Sequence, residues 1–407
     1  MSIVLWISFW FAIVLAFIAG CAWLYGWFFP QKVLAKHAVR RWNFIPIEHP
    51  EQVAILIACH RGSATIGATV ERALATGCDV YVVDDGSKGR KISDPPDAPL
   101  DQTTQVARKA GARVLELAVN VGKPAALFAA YRHFMLTKRY RAVAILDDDV
   151  MIEENFVIEA LKLMTSEVAI VVGKNLTWWP TDRKWNIWLA KRAYSYWSYQ
   201  LIIRRIQSFF GVMNCISGSN SLYRTELLDE VLVERTPYIV DDTFWVLETH
   251  RRKLGKIVYA PKARAHLQDP TTYREWYKQN LRWLWGTFQG VIGHRVGRSW
   301  SRFDAAYVLL MLQWLIYVGS APVALTLLVV AMIKAPIALV IYLAGYGIWV
   351  VFAALQLRHP RLVLFIPAII MADLVYRAIF VHALVKAIRQ RTVENCVWES
   401  PTRIATV

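Results

Sequence analysis

The sequence contains few cysteines and few acidic residues. Five cysteines are spread over 407 residues, and no two of them are spaced as C-x-x-C; they stand at positions 21, 59, 78, 215 and 396. This distribution argues against a disulfide framework and a zinc site, and it favours a reducing environment. Acidic residues number 31 against 47 Lys and Arg, which gives a net charge of +16. Such an excess indicates an anionic partner: nucleic acid, anionic lipid or a phosphorylated substrate.

Charge is also scarce relative to hydrophobic side chains. Hydrophobic residues make up 56% of the chain and charged residues 19%, and the mean hydropathy is +0.31. The chain is too apolar for an ordinary soluble protein, yet too charged for a bundle of membrane helices alone. A soluble catalytic domain between membrane segments fits both values. In that setting the positive charge favours a cytoplasmic membrane surface and a phosphorylated substrate over nucleic acid.

The first long apolar run is Ile3–Phe29. It contains no charge and is long enough to span about 30 Å of hydrocarbon. Because it has no basic start and no small-residue cleavage site, we expect an uncleaved membrane helix and not a signal peptide. Basic residues follow it, at Lys32, Lys36, Arg40 and Arg41. The positive-inside rule then places Met1 outside and the next domain in the cytoplasm.

Three further apolar stretches close the chain: 305–333, 336–356 and 362–388. The first two predict a hairpin with an external turn at Lys334. The third carries Asp373, Arg377 and His382, which are costly in lipid and usually face a protein interior or a wet cavity. Three helices after the domain would leave the tail outside, but its basic residues (Lys386, Arg389 and Arg391) favour the inside. Either the last stretch is re-entrant or interfacial, or the charge rule fails here.

Between the membrane segments, short apolar runs alternate with helix-like stretches. The predicted strands are 53–58, 80–83, 114–117, 143–146 and 168–172, and the predicted helices are 69–76, 103–110 and 124–134. This alternation predicts a Rossmann-like α/β domain with a mostly parallel sheet, helices on both faces and ligands at the carboxyl ends of the strands.

An aromatic and basic segment, Trp178–Phe210, follows these strands. Its Trp and Tyr residues are interleaved with Lys and Arg, a composition that suits helices in the lipid headgroup layer. The same rings can instead form platforms for sugar faces. We favour the membrane interface for most of them.

Three adjacent carboxylates, Asp147, Asp148 and Asp149, end the apolar run 143–146. Acids at the end of a buried strand repel one another and lose solvation. A divalent cation relieves both effects, and oxygen ligands on Asp147 and Asp149 suit Mg²⁺ or Mn²⁺ that carries a diphosphate. A solvated acidic turn explains the three residues equally well when they are taken alone.

Two other motifs sit at predicted strand ends. Asp84 and Asp85 precede a glycine turn, where a carboxylate can accept hydrogen bonds from a base or ribose, although such a sequence is also a common turn. Lys123 follows Gly122 at a predicted helix start, with Pro124 suited to the first helical position. A cation and free N–H groups there can hold a phosphate or base of a nucleotide, and a solvated lysine is the alternative.

The order of these motifs resembles the family 2 glycosyltransferases of the GT-A fold. The resemblance implies that Asp84 or Asp85 contacts uridine, that Asp147 and Asp148 bind the donor, and that Asp149 and Asp147 hold the metal. Residues 60–62 depart from the opening motif of that family.

Later residues resemble the processive hyaluronan, chitin and cellulose synthases. Cys215, Ser217 and Gly218 lie in a stretch similar to their acceptor site, and Asp241 and Asp242 stand where they carry the catalytic acid. Gln279, Arg282 and Trp283 form their QxxRW signature. The resemblance implies that Asp242 is the base, with Asp241 as the alternative. It also implies that Arg282 stabilises the leaving diphosphate, that Gln279 binds phosphate or a hydroxyl, and that Trp283 receives the acceptor sugar.

We therefore expect a plasma-membrane enzyme that polymerises a GlcNAc-containing glycan from UDP-sugars, with inversion, and passes it across the membrane. Its partners are a UDP-sugar, the growing glycan and membrane lipid, with no nucleic acid. The expected layout is a transmembrane helix (1–30), a cytoplasmic GT-A domain (31–282, including the interfacial 178–210), an interfacial segment (283–304), transmembrane helices (305–390) and a tail (391–407). A non-processive transferase acting on a lipid carrier, or a nucleotide-regulated channel without chemistry, is the alternative.

Overall fold

The computed structural model describes residues 43–88, 101–299, 301–319 and 336–393. The strands are β1 (Val53–Cys59), β2 (Asp79–Asp84), β3 (Arg113–Glu116), β4 (Ala142–Asp147), β5 (Val150–Ile152), β6 (Val168–Thr177), β7 (Asn220–Arg224) and β8 (Lys256–Leu267). The helices of the same domain are α1 (Ile66–Leu74), α2 (Thr103–Lys109), α3 (Lys123–His133), α4 (Leu136–Arg139), α5 (Phe156–Leu161), α6 (Ile187–Ser198), α7 (Arg204–Phe210), α8 (Thr225–Val231), α9 (Asp241–Arg251) and α10 (Tyr273–Gly293). The remaining described helices are α11 (Arg302–Gly319), α12 (Pro336–Leu357) and α13 (Ile366–Arg389).

The strands form one sheet in the order β3-β2-β1-β4-β7-β6-β8-β5. The first half is parallel, as expected: β1 pairs with β2 and β4, and β2 pairs with β3. The second half is mixed, because β7 lies antiparallel between β4 and β6. β6 and β8 are parallel, whereas β5 pairs antiparallel with β8. The predicted α/β architecture is thus confirmed, but its mostly parallel sheet is a mixed one.

The central strands bury both of their faces. In β1, Ile55 and Ile57 pack in one core, and Ala54 and Leu56 pack in another on the opposite side of the sheet. All four side chains are fully buried. Burial of such an aliphatic side chain stabilises a fold by about 1.5–3 kcal/mol, so continuous apolar strands require helices on both faces. Each strand therefore ends where its buried apolar run ends, and the polar residues that follow lie at the edge of the sheet.

The segment 178–210 forms helices that pack on the C-terminal helices. Tyr194 and Trp197 of α6 lie in a cluster with Val350 and Ala353 of α12 and with Ile369 of α13. The helix continues from α6 through a π-helical turn, Tyr199–Ile203, into α7. In the described structure, several of its rings therefore pack against protein. The expected interfacial placement of the segment stays a prediction.

Charged groups of the last apolar stretch pair with protein. Asp373 of α13 lies 3.2 Å from the Lys191 ammonium of α6 and 3.8 Å from Arg377 one turn along. His382 Nδ1 lies 2.8 Å from the Tyr277 hydroxyl of α10. Asp373 and Arg377 are partly buried, which agrees with the expectation that such groups face a protein interior, whereas His382 is exposed in the described structure.

Among the described residues, one helical stretch, Pro360–Arg389, is long and apolar enough to cross a membrane, and Ala344–Leu357 is a shorter apolar helix. Length and composition alone are weak support for a transmembrane region. The predicted N-terminal helix at 1–30, the turn at Lys334 and most of the tail at 391–407 lie outside the described residues.

Candidate active site

The predicted carboxylates meet at one edge of the sheet. Parallel pairing aligns Cys59 at the end of β1 with Asp84 at the end of β2. It also aligns Ala58 with Asp147 at the end of β4. Ligands of parallel α/β sheets bind at this carboxyl edge. The geometry therefore brings the acidic motifs at 84–85 and 147–149 to the same side of the domain.

Asp84 and Asp85 are both buried and both engaged within the protein. Asp84 accepts hydrogen bonds from Ser87 N (3.0 Å) and from Thr104 Oγ1 (2.5 Å). Asp85 accepts them from the backbone N–H groups of Val121 (2.7 Å) and Gly122 (2.9 Å). Burial raises the pKa of Asp85, and these two N–H groups oppose the rise. Asp85 thus fixes the turn that precedes Lys123, and base or ribose contact by Asp84 or Asp85 stays a prediction.

Lys123 joins two of the predicted motifs. It begins α3, one residue earlier than expected, after Gly122 with φ 88°. Its ammonium lies 2.5 Å from Asp147 Oδ1 and donates to the carbonyl of Gly218 at 3.1 Å. Burial acts to lower the pKa of Lys123, but the carboxylates of Asp147 and Asp241 raise it above the ordinary value. The ammonium is therefore charged and lies between Asp147 and the loop that carries Gly218.

Asp241 and Asp242 open helix α9. Asp242 Oδ2 accepts a hydrogen bond from Gly218 N at 3.0 Å. Burial, and next the charge of Asp241, raise the pKa of Asp242 to about 7, while Lys123, Gly218 and Arg282 oppose the rise. A carboxyl group with a pKa near neutrality can exchange a proton with substrate at working pH. The raised pKa of Asp242 therefore fits the role of a general base that was predicted for it.

The QxxRW residues lie on α10. The positive charge of Arg282 acts on Asp242, which places it within electrostatic reach of that acid. Gln279 Oε1 accepts a hydrogen bond from Arg192. The guanidinium of Arg192 also lies over the ring of Trp283, 4.6 Å from its centroid. Arg282 thus belongs to the acidic site, whereas Gln279 and Trp283 are held by α6.

The expected acceptor residues line the loop before β7. Cys215 Sγ lies 2.9 Å from the hydroxyl of Tyr199, at the π-helical turn. The Ser217 hydroxyl lies 2.9 Å from that of Ser219 and is buried. Gly218 connects Lys123 and Asp242 through its backbone. The loop therefore lies in the same site as Lys123 and Asp242.

The three acids at 147–149 face different surroundings. Asp148 is buried, and its Oδ2 accepts from the Cys59 thiol at 2.8 Å, so it faces the protein interior. The side chain of Asp147 is 38% exposed, and Asp149 follows in the turn to β5. No group of three or more His, Cys, Asp or Glu side chains that could hold a metal occurs among the described residues. The donor set fits Mg²⁺ or Mn²⁺ held by one or two carboxylates and completed by water and phosphate.

Arg192 and Asp269 are candidate functional residues that the sequence analysis did not select. Arg192 lies within the aromatic and basic segment, whose basic residues were interpreted as contacts with lipid headgroups. Asp269 follows β8 and is not part of any of the motifs discussed above. The two side chains lie 3.4 Å apart and are almost fully buried. A pairing of this kind between distant positions has no local sequence signal.

Comparison with known proteins agrees with this arrangement. The profile of the family described as "Glycosyltransferase like family 2" matches residues 49–286, which is more than half of the chain. The chain belongs to glycosyltransferase family 2. The matched region runs from the start of β1 to the QxxRW helix, so it contains every motif used above.

Two relatives of this family 2 chain are polysaccharide synthases. Hyaluronan synthase 1 from Xenopus tropicalis is 27% identical over 177 residues, which cover 41% of this chain and 29% of the relative. Poly-beta-1,6-N-acetyl-D-glucosamine synthase from Staphylococcus epidermidis is 26% identical over 253 residues, which cover 60% of this chain and 55% of the relative. The matches therefore span about half of these relatives or less.

A solved structure supports the fold. The mannosyltransferase PcManGT from Pyrobaculum calidifontis, in complex with GDP-Man and Mn²⁺, superposes with a TM-score of 0.52 and 16% identity, covering 88% of this chain and 96% of that chain. This likeness concerns the fold alone. It agrees with the predicted GT-A-like fold. The family match and the glycosyltransferases among the relatives confirm the predicted family and the expected hexosyltransferase enzyme class.

Proposed function

We propose that this glycosyltransferase transfers a sugar from a UDP-sugar to the end of a growing, GlcNAc-containing glycan, with inversion at the sugar C1. The observation that supports this most is the convergence of Asp147, Lys123, Gly218, Asp242 and the charge of Arg282. Donor-side and acceptor-side groups thereby meet at one place. The two polysaccharide synthases among the relatives suggest the product class.

Asp242 acts as the general base in this proposal. Inverting transfer requires a group that takes the proton of the acceptor hydroxyl as that oxygen attacks the sugar C1. Asp242 is held by the N–H of Gly218 and has a pKa of about 7, because burial and Asp241 disfavour its charged form. A base with this pKa is partly ionised at neutral pH and accepts the proton readily. Asp241 maintains the raised pKa through its own charge.

Lys123 and Arg282 stabilise the departing diphosphate. The leaving UDP gains negative charge, which fixed cations stabilise best where water is excluded. The Lys123 ammonium is charged and lies at the strand edge, and the guanidinium of Arg282 can grip two phosphate oxygens. Asp147 and Asp149 would hold a divalent cation, which supplies further Lewis-acid stabilisation when it is bound. With Asp147 engaged as a metal ligand, the Lys123 ammonium that now contacts it would be available to phosphate oxygens.

Trp283 provides a flat surface for the acceptor sugar. Its ring is partly exposed and follows Arg282 on α10. Cys215, Ser217 and Gly218 line the opposite loop near Asp242. The acceptor hydroxyl would thus lie between this loop and the QxxRW helix.

The proposed setting is the cytoplasmic face of the plasma membrane, with a glycan passed between the membrane helices. We retain the layout 1–30, 31–282, 283–304 and 391–407, but assign the last apolar stretch to the membrane interface. Phe365, just before α13, packs on Trp179 and Trp185 of the catalytic unit. The carbonyl of Gln390, at the other end, accepts hydrogen bonds from Trp285 and Gln289.

Two observations favour this interfacial placement of α13. Both ends of the helix contact segments that continue directly from the catalytic sheet. The placement also leaves two crossings after the catalytic domain, so Lys386, Arg389 and Arg391 stay on the cytoplasmic side that the charge rule favours. With three crossings, by contrast, the basic tail would lie outside, against the charge rule.

A non-processive transferase that glycosylates a lipid carrier remains the second candidate. It would use the same nucleotide site, but it would not need an extended acceptor surface at Trp283. Product length separates the two candidates: a polymer ladder or smear supports processive synthesis, and a single glycolipid refutes it.

The proposed function is tested with the full chain in lipid nanodiscs. Common UDP-sugars are screened singly and in pairs with Mg²⁺ or Mn²⁺, UDP release is measured, and any product is digested with glycan-specific hydrolases. Release with UDP-GlcNAc, alone or with UDP-glucuronate, and a digestible polymer are expected. Absence of UDP release with every donor, or release that persists unchanged in Asp242→Asn, would refute the proposal.

A further inference from the structure

Arg192 of α6 makes an unusual number of contacts for a buried cation. Its side chain is 4% exposed. The guanidinium donates to Gln279 Oε1 and, at 3.4 Å, to Asn280 Oδ1, and it lies over the ring of Trp283. All three partners lie within about one turn of α10. Gln279 and Trp283 are four residues apart and Asn280 and Trp283 three apart, so they share one face of the helix. One guanidinium thereby contacts the face of α10 that carries two of the three QxxRW residues, Gln279 and Trp283.

The charge of Arg192 has a dedicated counter-ion. Asp269 lies 3.4 Å away, and its side chain is 1% exposed. Tyr196 donates its hydroxyl to Asp269 Oδ1 at 3.1 Å, and the Tyr196 ring lies 5.4 Å from the Arg192 guanidinium. Burial of a charged pair is favourable only when its groups are well paired and hydrogen-bonded. Removing both charges from water is costly. If Arg192 only anchored α6 at the membrane surface, it would not need such a buried counter-ion.

We propose that Arg192, held by Asp269, is a positioning residue that fixes Gln279 and Trp283 for the acceptor sugar. This inference rests on the proposed function, since it assigns a role in sugar transfer to the QxxRW helix. Arg192 itself touches neither the donor nor the reacting atoms in this proposal. It acts through the two residues of α10 that it holds.

The hydrogen bond to Gln279 determines which way its amide points. Because Oε1 accepts from Arg192, the NH₂ group of the same amide faces away from the guanidinium. Gln279 then presents two donors, which suit the hydroxyl oxygens of the acceptor sugar. With the opposite amide orientation, Gln279 would set its own N–H groups against the Arg192 donors.

The stacking of Arg192 on Trp283 likewise fixes the orientation of a side chain, in this case the indole ring. A guanidinium over one face of an indole is an attractive arrangement, and it stops the ring from turning. In this proposal the opposite face of the ring receives the apolar face of a sugar. Lysine reproduces only the charge of this contact, because its compact ammonium cannot stack as a plane on the ring and does not form two parallel hydrogen bonds.

The inference is tested by Arg192→Lys, which keeps a charge opposite Asp269 but removes the planar stack. Two rates are measured in the full chain: transfer to a β-linked GlcNAc disaccharide, and slow hydrolysis of the donor by water. We expect the KM for the acceptor to rise about tenfold, because the variant weakens the hydrogen bond to Gln279 and also loses the stacking on Trp283. Donor hydrolysis should stay within about twofold. Arg205→Lys, on α7 of the same segment, is the matched control and should change neither rate.

A second measurement does not depend on activity. The chain is labelled with 5-fluorotryptophan, the ¹⁹F resonance of Trp283 is assigned by its loss in Trp283→Phe, and the line is followed in the Arg192 and Asp269 variants. Arg192→Lys and Asp269→Asn should both shift or broaden this line, and Arg205→Lys should not.

The outcomes separate the inference from the proposed function. An unchanged Trp283 line in Arg192→Lys overturns the inference even if the wild-type chain synthesises a glycan. Equal loss of transfer and hydrolysis, with a lower unfolding temperature, also overturns it, since that is the signature of a purely structural role. Failure of the wild-type chain to use any donor refutes the proposed function, whereas the ¹⁹F result still decides whether Arg192 positions Trp283.

Discussion

The backbone of Gly218 holds Asp242 from one side, because its N–H donates to Asp242 Oδ2 at 3.0 Å. The carbonyl of the same residue accepts from the Lys123 ammonium at 3.1 Å. One residue therefore sets the distance between Asp242, the candidate base, and the cation Lys123. A side chain at this position would disturb both.

Gly218→Ala is expected to lower the transfer rate without unfolding the domain. An added Cβ would lie 3.0 Å from Asp242 Oδ2 and 3.4 Å from its Cβ, so the carboxylate must move by a few tenths of an ångström. Because misplacement of a catalytic group by about 1 Å costs up to about a hundredfold, we expect a loss of about ten- to a hundredfold in kcat. Gly345→Ala is the control, since nothing lies within 4 Å of its added Cβ. Normal kcat in Gly218→Ala would show that the Gly218 contact does not position the base.

The pH dependence of transfer should report Asp242. Its pKa is raised to about 7 by burial and by Asp241. A base must be ionised, so kcat should fall tenfold per pH unit as the pH drops below about 7 and the carboxyl becomes protonated. The profile is measured under saturating donor between pH 5 and 9. Asp242→Asn should abolish transfer and retain UDP binding, measured by calorimetry; loss of UDP binding would contradict the role of base.

Lys123→Gln should shift that profile. The ammonium lowers the pKa of Asp242, so its removal raises the pKa further and moves the acidic limb toward alkaline pH. The same change removes a cation that we assign to the diphosphate, so kcat should also fall by about tenfold or more at every pH. Lys123→Arg, which keeps the charge, should leave the limb in place. An acidic limb at the wild-type position in Lys123→Gln would show that this charge does not act on the base.

The parallel half of the sheet and the acidic edge were predictable from the sequence. Short, continuous apolar runs such as Val53–Ala58 and Val143–Leu146 are typical of strands buried on both faces. The carboxyl ends of such strands collect polar residues at one edge, which is why Asp84 and Asp147 were expected together. The predicted helix at 124–134 was found at Lys123–His133 for a similar reason, because a glycine and a proline mark its start.

The antiparallel half was not predictable by the same reasoning. Strand β7, Asn220–Arg224, is polar in sequence, yet every one of its residues is buried. Arg224 is fully buried and donates to four backbone carbonyls, of Val168, Ile45, Met164 and Thr165. Such a strand is stabilised by contacts between distant parts of the chain, which leave no periodic pattern.

The ends of α13 provide the last prediction. If this helix lies at the membrane interface, Arg361 before it and Arg391 after it are on the same, cytoplasmic side. Arg361→Cys and Arg391→Cys should then both react with a membrane-impermeant maleimide in inverted vesicles, and neither should react in intact cells. Lys162→Cys, exposed beyond α5 of the catalytic domain, is the cytoplasmic marker. The unmodified chain gives the background of native cysteines. Labelling of the two positions from opposite sides would show that α13 crosses the bilayer, and the charge rule would then fail for this tail.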